Sequence, residues 1–585
     1  MAGERRRSSE TRRRNESGRE RSEGAYTGEP ELIVVARPDV GLRATRQGVA
    51  SATGADVSSL AEVLEDEGAN LRPLFGREER VTAAVEAVAA RGGEVPELSV
   101  YYRVEAPEER LDALAERLRE LDEVEAAYVK PPAEPAQALN DMAPVAEQPP
   151  ATTPDFTGRQ RYLNVAPGGI DAQYAWTQTG GRGGGVRIID VEGAWRFTHE
   201  DLTQNQGGVV GGTQSTDIGW RNHGTAVIGE FGGDRNDRGV VGICPAANVR
   251  AISIFGGTGS AAAIRQAADL LGPGDIILIE LHRPGPRFNF ANRNDQRGYI
   301  AIEWWDDDFA AIRYAVARGV IVVEAGGNGA ENLDDALYNT RPTGFPTAWT
   351  NPFNRANRDS GAVVVGAGAP PPNTHGNNWG PDRSRLDFSN FGAMIDAQGW
   401  GREVTTCGYG DLQGGSDEDE WYTDQFSGTS SASPIVVGAL GCVQGVLRAN
   451  GRIPLSPARA REVLRATGSV QQAATGRPVT QRIGNRPNLR QLIPLALQTN
   501  NWTGVQFTGT VPANQTMRWF TFNWPAHWHV VWTVVPTSPR PGGPQIGWRV
   551  EVERASDAFI TYWISITNVT PVPVNVEARF AVLGW

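Results

Sequence analysis

Residues 426–434 read Phe426-Ser427-Gly428-Thr429-Ser430-Ser431-Ala432-Ser433-Pro434. A hydroxyl nucleophile needs an approach free of bulky side chains, and Gly428, Thr429, Ser431, Ala432 and Ser433 supply one around Ser430. The stretch runs into Pro434-Ile-Val-Val-Gly-Ala-Leu-Gly-Cys-Val-Gln-Gly-Val-Leu447, a small-residue apolar pattern that predicts a helix. Proline is tolerated in a helix's first turn, so the helix should begin at or just before Ser430. A nucleophile placed there sits among unpaired backbone N–H groups at the positive end of the helix dipole, which suits a developing oxyanion. The competing reading is a buried helix in which the serines serve only packing.

Around this stretch, residues 160–497 alternate short apolar strands with helices. Val186-Arg-Ile-Ile-Asp190, Val249-Arg-Ala-Ile-Ser-Ile254, Asp275-Ile-Ile-Leu-Ile279, Val320-Ile-Val-Val323 and Ala362-Val-Val-Val-Gly366 are rich in β-branched residues and do not alternate with polar ones. Such strands are buried on both faces, as in a parallel sheet with helices on either side.

Upstream, residues 31–130 predict a small α+β unit. Its expected elements are a strand at Leu32-Ile-Val-Val-Ala36, a helix opened by a Ser59/Glu62 capping box, and a strand over 98–104. An amphipathic helix begun by Pro107 and a closing strand over 123–129 follow. That order suggests a ferredoxin-like sheet with helices on one face. Residues 131–159 are Pro/Ala-rich and read as an extended linker. Residues 1–30 read as a disordered Arg-rich tail. Residues 498–585 carry eight tryptophans in or beside alternating segments, the pattern of an all-β sandwich. Core packing accounts for most of them; an exposed aromatic face binding a glycan or protein partner is the alternative.

The bulk composition excludes several classes. A chain of 585 residues needs several domains, because single cores stop growing near roughly 250–300 residues. A net charge of −12 argues against nucleic acid as a partner. Lys130 is the only lysine among 56 basic residues, an arginine bias that fits a GC-rich, bacterial genome. Cys244, Cys407 and Cys442 show no metal-ligand spacing and no disulfide framework, although a Cys407–Cys442 pair stays open. No run of about 18 apolar residues is evident, so no membrane span is expected. The first 30 residues lack the apolar core of a secretion signal, which leaves the cytoplasm or an unrecognised export route as the expected location.

Further chemistry gathers where sites form in parallel sheets, at the carboxyl ends of strands. Asp190 ends the first long strand, in Ile188-Ile-Asp190-Val-Glu-Gly193. His223 follows in Arg221-Asn-His223-Gly-Thr225, where small neighbours let the backbone crowd close. Asn328 lies in Ala325-Gly-Gly-Asn328-Gly, directly after a strand, and its amide can donate to charge developing on a carbonyl oxygen. Asp190, His223, Asn328 and Ser430 thus read as orienter, base, oxyanion donor and nucleophile. Each alone has an ordinary structural explanation, but their joint occurrence does not.

Over about residues 160–495 the chain resembles the subtilisin-like serine peptidases, whose order is Asp, His, Ser. The resemblance rests on Ile189-Asp190 with His199-Glu-Asp-Leu202, on Asn222-His223-Gly-Thr-Ala-Val227 and on Gly239-Val-Val-Gly242. Gly326-Gly-Asn328-Gly, Gly428-Thr-Ser430-Ser-Ala-Ser-Pro434 and Ile483-Gly-Asn-Arg-Pro-Asn488-Leu complete it. It implies an α/β fold: a subtilisin-like parallel sheet with helices on both faces, the ferredoxin-like domain before it and the β-sandwich after it. It also implies an endopeptidase acting on protein or peptide substrates through Asp190, His223 and Ser430, with Asn328 in the oxyanion hole and no required cofactor. The N-terminal domain matches the family's propeptide in position, which implies an intramolecular inhibitor with its processing site in the linker; a permanent regulatory domain is the alternative.

The departures bear on specificity. Where the family's cleft strand carries Ser-x-Gly, this chain has Glu280-Leu281-His282, and Gly326 and Gly327 are expected to line the same cleft. Glu280 would favour a basic substrate side chain if it faced the cleft. Trp304-Trp305-Asp-Asp-Asp308 either walls the cleft or caps a helix, and Asp190-Val-Glu-Gly193 holds one residue more than the family's turn. Asp201 matches a family calcium ligand, so a structural calcium is allowed, although no metal site is assigned.

Overall fold

The strand that ends in the first candidate motif, Arg187–Glu192, lies inside a seven-stranded parallel sheet of the computed structural model. The description covers residues 28–45, 48–89, 95–136, 149–498, 502–526 and 528–583. From one edge the sheet runs Ala397–Trp400, Val363–Gly368, Ile321–Ala325, Ile276–Ile279, Arg187–Glu192, Asn248–Ser253 and Gln206–Gly211. Successive residues of the central strands feed two different cores. Ile188, Leu278, Val323 and Val365 pack on one face, and Ile189, Ile277, Val322 and Val364 on the other. This explains why these strands show no polar alternation. The two edge strands, over 206–211 and 397–400, lie outside the sequence reading because they are glycine-bearing and only modestly apolar.

Helix Thr429–Ala449 runs through the first core, packed on Ile243, Cys244 and Ile188. By length and composition, with a mean hydropathy of 1.5, it could cross a membrane, which corrects the expectation that no such stretch exists. Its whole apolar window is nevertheless buried in this domain. It begins at Thr429, where expected, but Pro434 lies inside the helix rather than in its first turn. All three cysteines are buried and free.

The N-terminal unit forms an antiparallel sheet in the order Asn70–Pro73, Tyr101–Glu105, Glu31–Ala36, Val124–Lys130. Leu32 and Val34 pack inward with Leu60, Leu111, Leu114 and Leu118 of the unit's own helices. Ile33 and Val35 point the other way, into a core shared with Ala261, Ile264 and Tyr314 of the peptidase-like domain. One sheet is therefore covered by its own helices on one face and by the larger domain on the other. Local boundaries differ from the sequence reading. Helix Ser58–Asp66 has Val57 at its N-cap, while Asp56 Oδ1 accepts from Ser58 N (3.0 Å), so Ser59 does not form the capping box. Residues Leu98–Val100 and Glu108–Arg110 form short 3-10 turns ahead of their strand and helix.

The Trp304–Asp308 segment caps a helix, and both of its tryptophans are buried in the core. Asp306, Asp307 and Asp308 form the first turn of helix Asp306–Ala317, favoured there by the helix dipole. They also hold the N-terminal sheet. Lys130 Nζ, fully buried, donates to Asp307 Oδ2 (2.5 Å) and Asp308 Oδ2 (3.2 Å) and lies 3.3 Å from Glu31 Oε2. Tyr101 OH donates to Asp306 (2.6 Å) and Tyr128 OH to Asp307 (3.0 Å). Burial alone would push the Lys130 ammonium down, but Asp307, Asp308 and Glu31 hold it above its ordinary value.

The C-terminal module is a sandwich of two antiparallel three-stranded sheets. Trp524 and Trp532 lie in its core, with Trp519 and Trp528 packed against it. Trp548 is exposed, as are Phe520 and Phe522; the Phe520 ring neighbours those of Phe522 and Trp563. The greater part of the 1–30 tail and the middle of the linker, residues 137–148, lie outside the described residues, as does Trp585.

Candidate active site

His223 stands in helix Ile218–Gly232, whose first turn is capped by Asp217 Oδ1 accepting from Gly219 N (2.8 Å) and Trp220 N (3.2 Å). The helix crosses the carboxyl end of the Arg187–Glu192 strand at very short range. A Cβ on Gly224 would lie 2.2 Å from Ala194 O and 2.5 Å from Glu192 Oε1, so glycine is what allows this approach. The carboxylate brought to the histidine is not that of Asp190. His223 Nδ1 is hydrogen-bonded to Glu192 Oε2, while Asp190 Oδ2 accepts from Trp195 Nε1 (2.7 Å). The two acids are two residues apart on one strand and share a face, with Glu192 one step nearer the carboxyl end where the helix arrives.

All three groups are fully buried. Burial pushes both carboxyls well above their ordinary values. The nearby Glu192 charge raises Asp190 further. Glu192 is the carboxyl that meets His223 Nδ1. Burial lowers the His223 imidazole to about 3. Its Nε2 has no hydrogen-bond partner.

The second half of the site forms around the start of helix Thr429–Ala449. Thr429 N (2.9 Å) and Thr429 Oγ1 (3.0 Å) both donate to Asn328 Oδ1, which fixes the amide and leaves Nδ2 as its donor end. Gly327, at φ +92°, donates from its backbone N–H to Thr429 Oγ1 (3.2 Å). Gly326 donates to Val365 O (2.8 Å) and accepts from Asn390 Nδ2 (2.8 Å). These two glycines shape the loop that carries Asn328. Glu280 is fully buried and points inward, accepting from Ser433 Oγ (2.6 Å), so it does not face a substrate side chain. Burial raises its carboxyl well above the usual range, the nearby Asp190 charge adds to this, and the hydroxyls of Ser433 and Ser430 oppose it. Glu280 thus lies electrostatically between the two halves of the site.

Leu281 and His282 form the strand edge of the cleft, and the edge is taken. Pro135 pairs with Leu281 and Glu134 with His282 in antiparallel register. Beyond them, the carbonyl oxygen of Ala136 accepts from the backbone N–H of Ser430 at 3.1 Å. Upstream, Arg283 donates to Pro131 O. The first residues of the linker, continuous with the closing strand of the N-terminal domain, therefore lie along the cleft as an added β-strand. Sequence reasoning could not find this, since the partners are about 150 residues apart and the pairing uses backbone groups common to all residues.

Asp201 does not fit a calcium site. Its Oδ1 accepts from Asn236 Nδ2 (2.6 Å), and its Oδ2 accepts from Val240 N (2.7 Å) and Tyr422 OH (3.0 Å). Donor groups occupy the positions a cation would need, and burial raises this carboxyl to about 7. Among the described residues no group of three or more His, Cys, Asp or Glu could hold a metal ion.

The profile of the subtilase family matches residues 169–485. An intracellular serine protease of Paenibacillus polymyxa is 26% identical over 319 residues, covering 50% of this chain and 77% of its own. Subtilisin Savinase of Lederbergia lenta is 28% identical over 268 residues, covering 45% and 77%. The alkaline elastase YaB of a Bacillus species is 28% identical over 290 residues, covering 48% and 61%. Glu192, His223, Glu280, Asn328 and Ser430 all fall inside the matched segment, which spans more than half of the sequence; the chain belongs to the subtilase family and is a serine-type endopeptidase.

Proposed function

We propose that this endopeptidase works through Ser430, His223 and Glu192, and that it is made as a precursor whose N-terminal domain inhibits it until self-cleavage. The observation that carries the reading is the Ala136 carbonyl on the Ser430 N–H, the position in which an acyl group is attacked. Ser430 Oγ adds to the carbonyl carbon as its proton passes to His223 Nε2. The new oxyanion is held by the Ser430 N–H and Asn328 Nδ2. Collapse breaks the C–N bond, and His223 gives the proton to the leaving amine. Water, deprotonated by His223, then releases the acyl group from Ser430. Glu192 holds the imidazole in the tautomer with Nδ1–H and stabilises the imidazolium. Asp190, bonded to Trp195, supports Glu192 as a positioning residue.

The same geometry supports inhibition: while residues 131–136 occupy the edge of Leu281–Pro284, no other peptide can pair there. Ser430→Ala should leave the full-length chain uncut and without activity on casein, while the wild type shortens. Wild-type hydrolysis by Ser430→Ala would overturn the mechanism.

For the C-terminal module we infer a role in binding a glycan or protein surface, supported by the exposed Phe520, Phe522 and Trp548. Co-sedimentation of the full chain with insoluble polysaccharide, compared with a Phe520→Ser/Phe522→Ser variant, tests the glycan arm; equal sedimentation would sink it.

A further inference from the structure

Building on the reading above, in which residues 131–136 lie in the cleft as the acyl side of a substrate, we propose an acidic subsite. The enzyme selects peptides of the form Glu-Pro-Ala, cuts after the alanine, and recognises the glutamate through Tyr299; the bond after Ala136 is its own maturation site.

Three features of the cleft converge on the glutamate. Glu134 is almost fully buried, at 2% exposure, and a carboxylate held there needs a donor. Tyr299 OH donates to Glu134 Oε1 at 3.0 Å. The phenol is set for this task, because its oxygen accepts from Arg293 N (3.0 Å), which directs its own proton toward the carboxylate. Tyr299 is itself fully buried, its ring edge-on to His282 at 4.8 Å between centroids. His282, on the cleft edge, stands opposite Glu134 in the ladder, so the same residue that pairs with the peptide backbone braces the recognising ring. A hydroxyl donating to a buried carboxylate discriminates against the amide, which offers a weaker acceptor, and more strongly against a cation, which offers none.

Two residues on, Ala136 is fully buried with its carbonyl on Ser430 N–H. Pro135 lies between them and has no N–H to leave unpaired on the edge. The local sequence Pro132-Ala-Glu-Pro-Ala136-Gln137-Ala-Leu-Asn140 is thus a substrate carried by the chain itself. Hydrolysis after Ala136 places a carboxylate on Ala136 and a free amine on Gln137, with one water consumed.

The test uses the full chain. Terminal sequencing of the wild type should show a new N-terminus at Gln137, absent in Ser430→Ala. The self-processed protein is then offered quenched peptides spanning Pro-Ala-Glu-Pro-Ala-Gln-Ala-Leu-Asn, with Glu, Gln or Lys at the third position. kcat/KM should fall about 10-fold for Gln and further for Lys, and Tyr299→Phe should bring the Glu-to-Gln ratio toward one. Ser430-dependent cleavage at another bond overturns the maturation site. Equal rates for the Glu and Gln peptides overturn the acidic subsite, and an unchanged ratio in Tyr299→Phe removes Tyr299 from it. In each of these cases the endopeptidase mechanism stands. Absence of any self-cleavage, peptide hydrolysis or phosphonate labelling of Ser430 would instead overturn that mechanism and this proposal with it.

Discussion

Replacing Glu192 by Gln should cripple the enzyme, while replacing Asp190 by Asn should not. The two side chains differ in what they touch: Glu192 Oε2 meets His223 Nδ1, and Asp190 Oδ2 meets the Trp195 indole. A carboxamide at 192 can turn its NH2 toward Nδ1 and so favour the wrong tautomer, and it removes the charge opposite the imidazolium. The equivalent change in a Ser-His-Asp enzyme lowers kcat by about 10⁴, equal to about 5.5 kcal/mol of barrier. Asp190→Asn keeps an oxygen for Trp195 Nε1 and leaves the His223–Glu192 contact in place. A loss within about 10-fold is expected there.

The assay is the rate at which purified full-length precursor shortens, followed by intact mass, together with the rate of Ser430 labelling by a fluorophosphonate. Near-UV circular dichroism on each variant establishes that the fold is intact. Comparable losses for the two variants, or a larger loss for Asp190→Asn, would refute the assignment of Glu192 as the residue that orients His223.

Other perturbations follow from the same geometry. Gly224→Ala puts a methyl within 2.2 Å of the Ala194 carbonyl and against Glu192; a stability loss of about 1–3 kcal/mol is expected, with lower activity, read by denaturant midpoint and peptide hydrolysis. Lys130→Met leaves buried Asp307 without its cation, while Glu31 and Asp308 keep Arg283; breaking a buried pair costs about 3–5 kcal/mol, so the precursor should lose its N-terminal domain to added protease far sooner than wild type. His199 is held below its ordinary value, chiefly by burial, with Nε2 on Trp421 O and Nδ1 accepting from Asp201 N. A depressed folded value means that its contribution is full above the unfolded value of about 6.5 and fades as pH falls below it. The unfolding midpoint of the wild type should therefore drop between pH 6.5 and 5 more steeply than that of His199→Gln. Asp201 carries the opposite sign but is common to both proteins.

Ser430, His223 and Asn328 stood out as candidates because each sits in a short run of small residues whose chemistry needs no distant partner to be recognised. The five central strands were legible for a related reason, since burial on both faces removes polar alternation from the local sequence. The carboxyl that meets His223 was not. Asp190 and Glu192 occupy one face of one strand, and the choice between them depends on where helix Ile218–Gly232 crosses, which Gly224 controls from 32 residues away. Glu280 illustrates the same limit: a strand residue beside the cleft faces either way, and here the Ser433 hydroxyl draws it inward. The linker composition predicted an extended chain but not its resting place. Backbone pairing is nearly blind to side-chain identity, so the placement of Ala136 on Ser430 follows from the docking of the N-terminal sheet, through Lys130 and the Asp306–Asp308 turn, on the far side of the molecule's sequence. Short-range chemistry singled out Ser430 and His223 as candidates; long-range packing set the acid beside His223 and the peptide before Ser430.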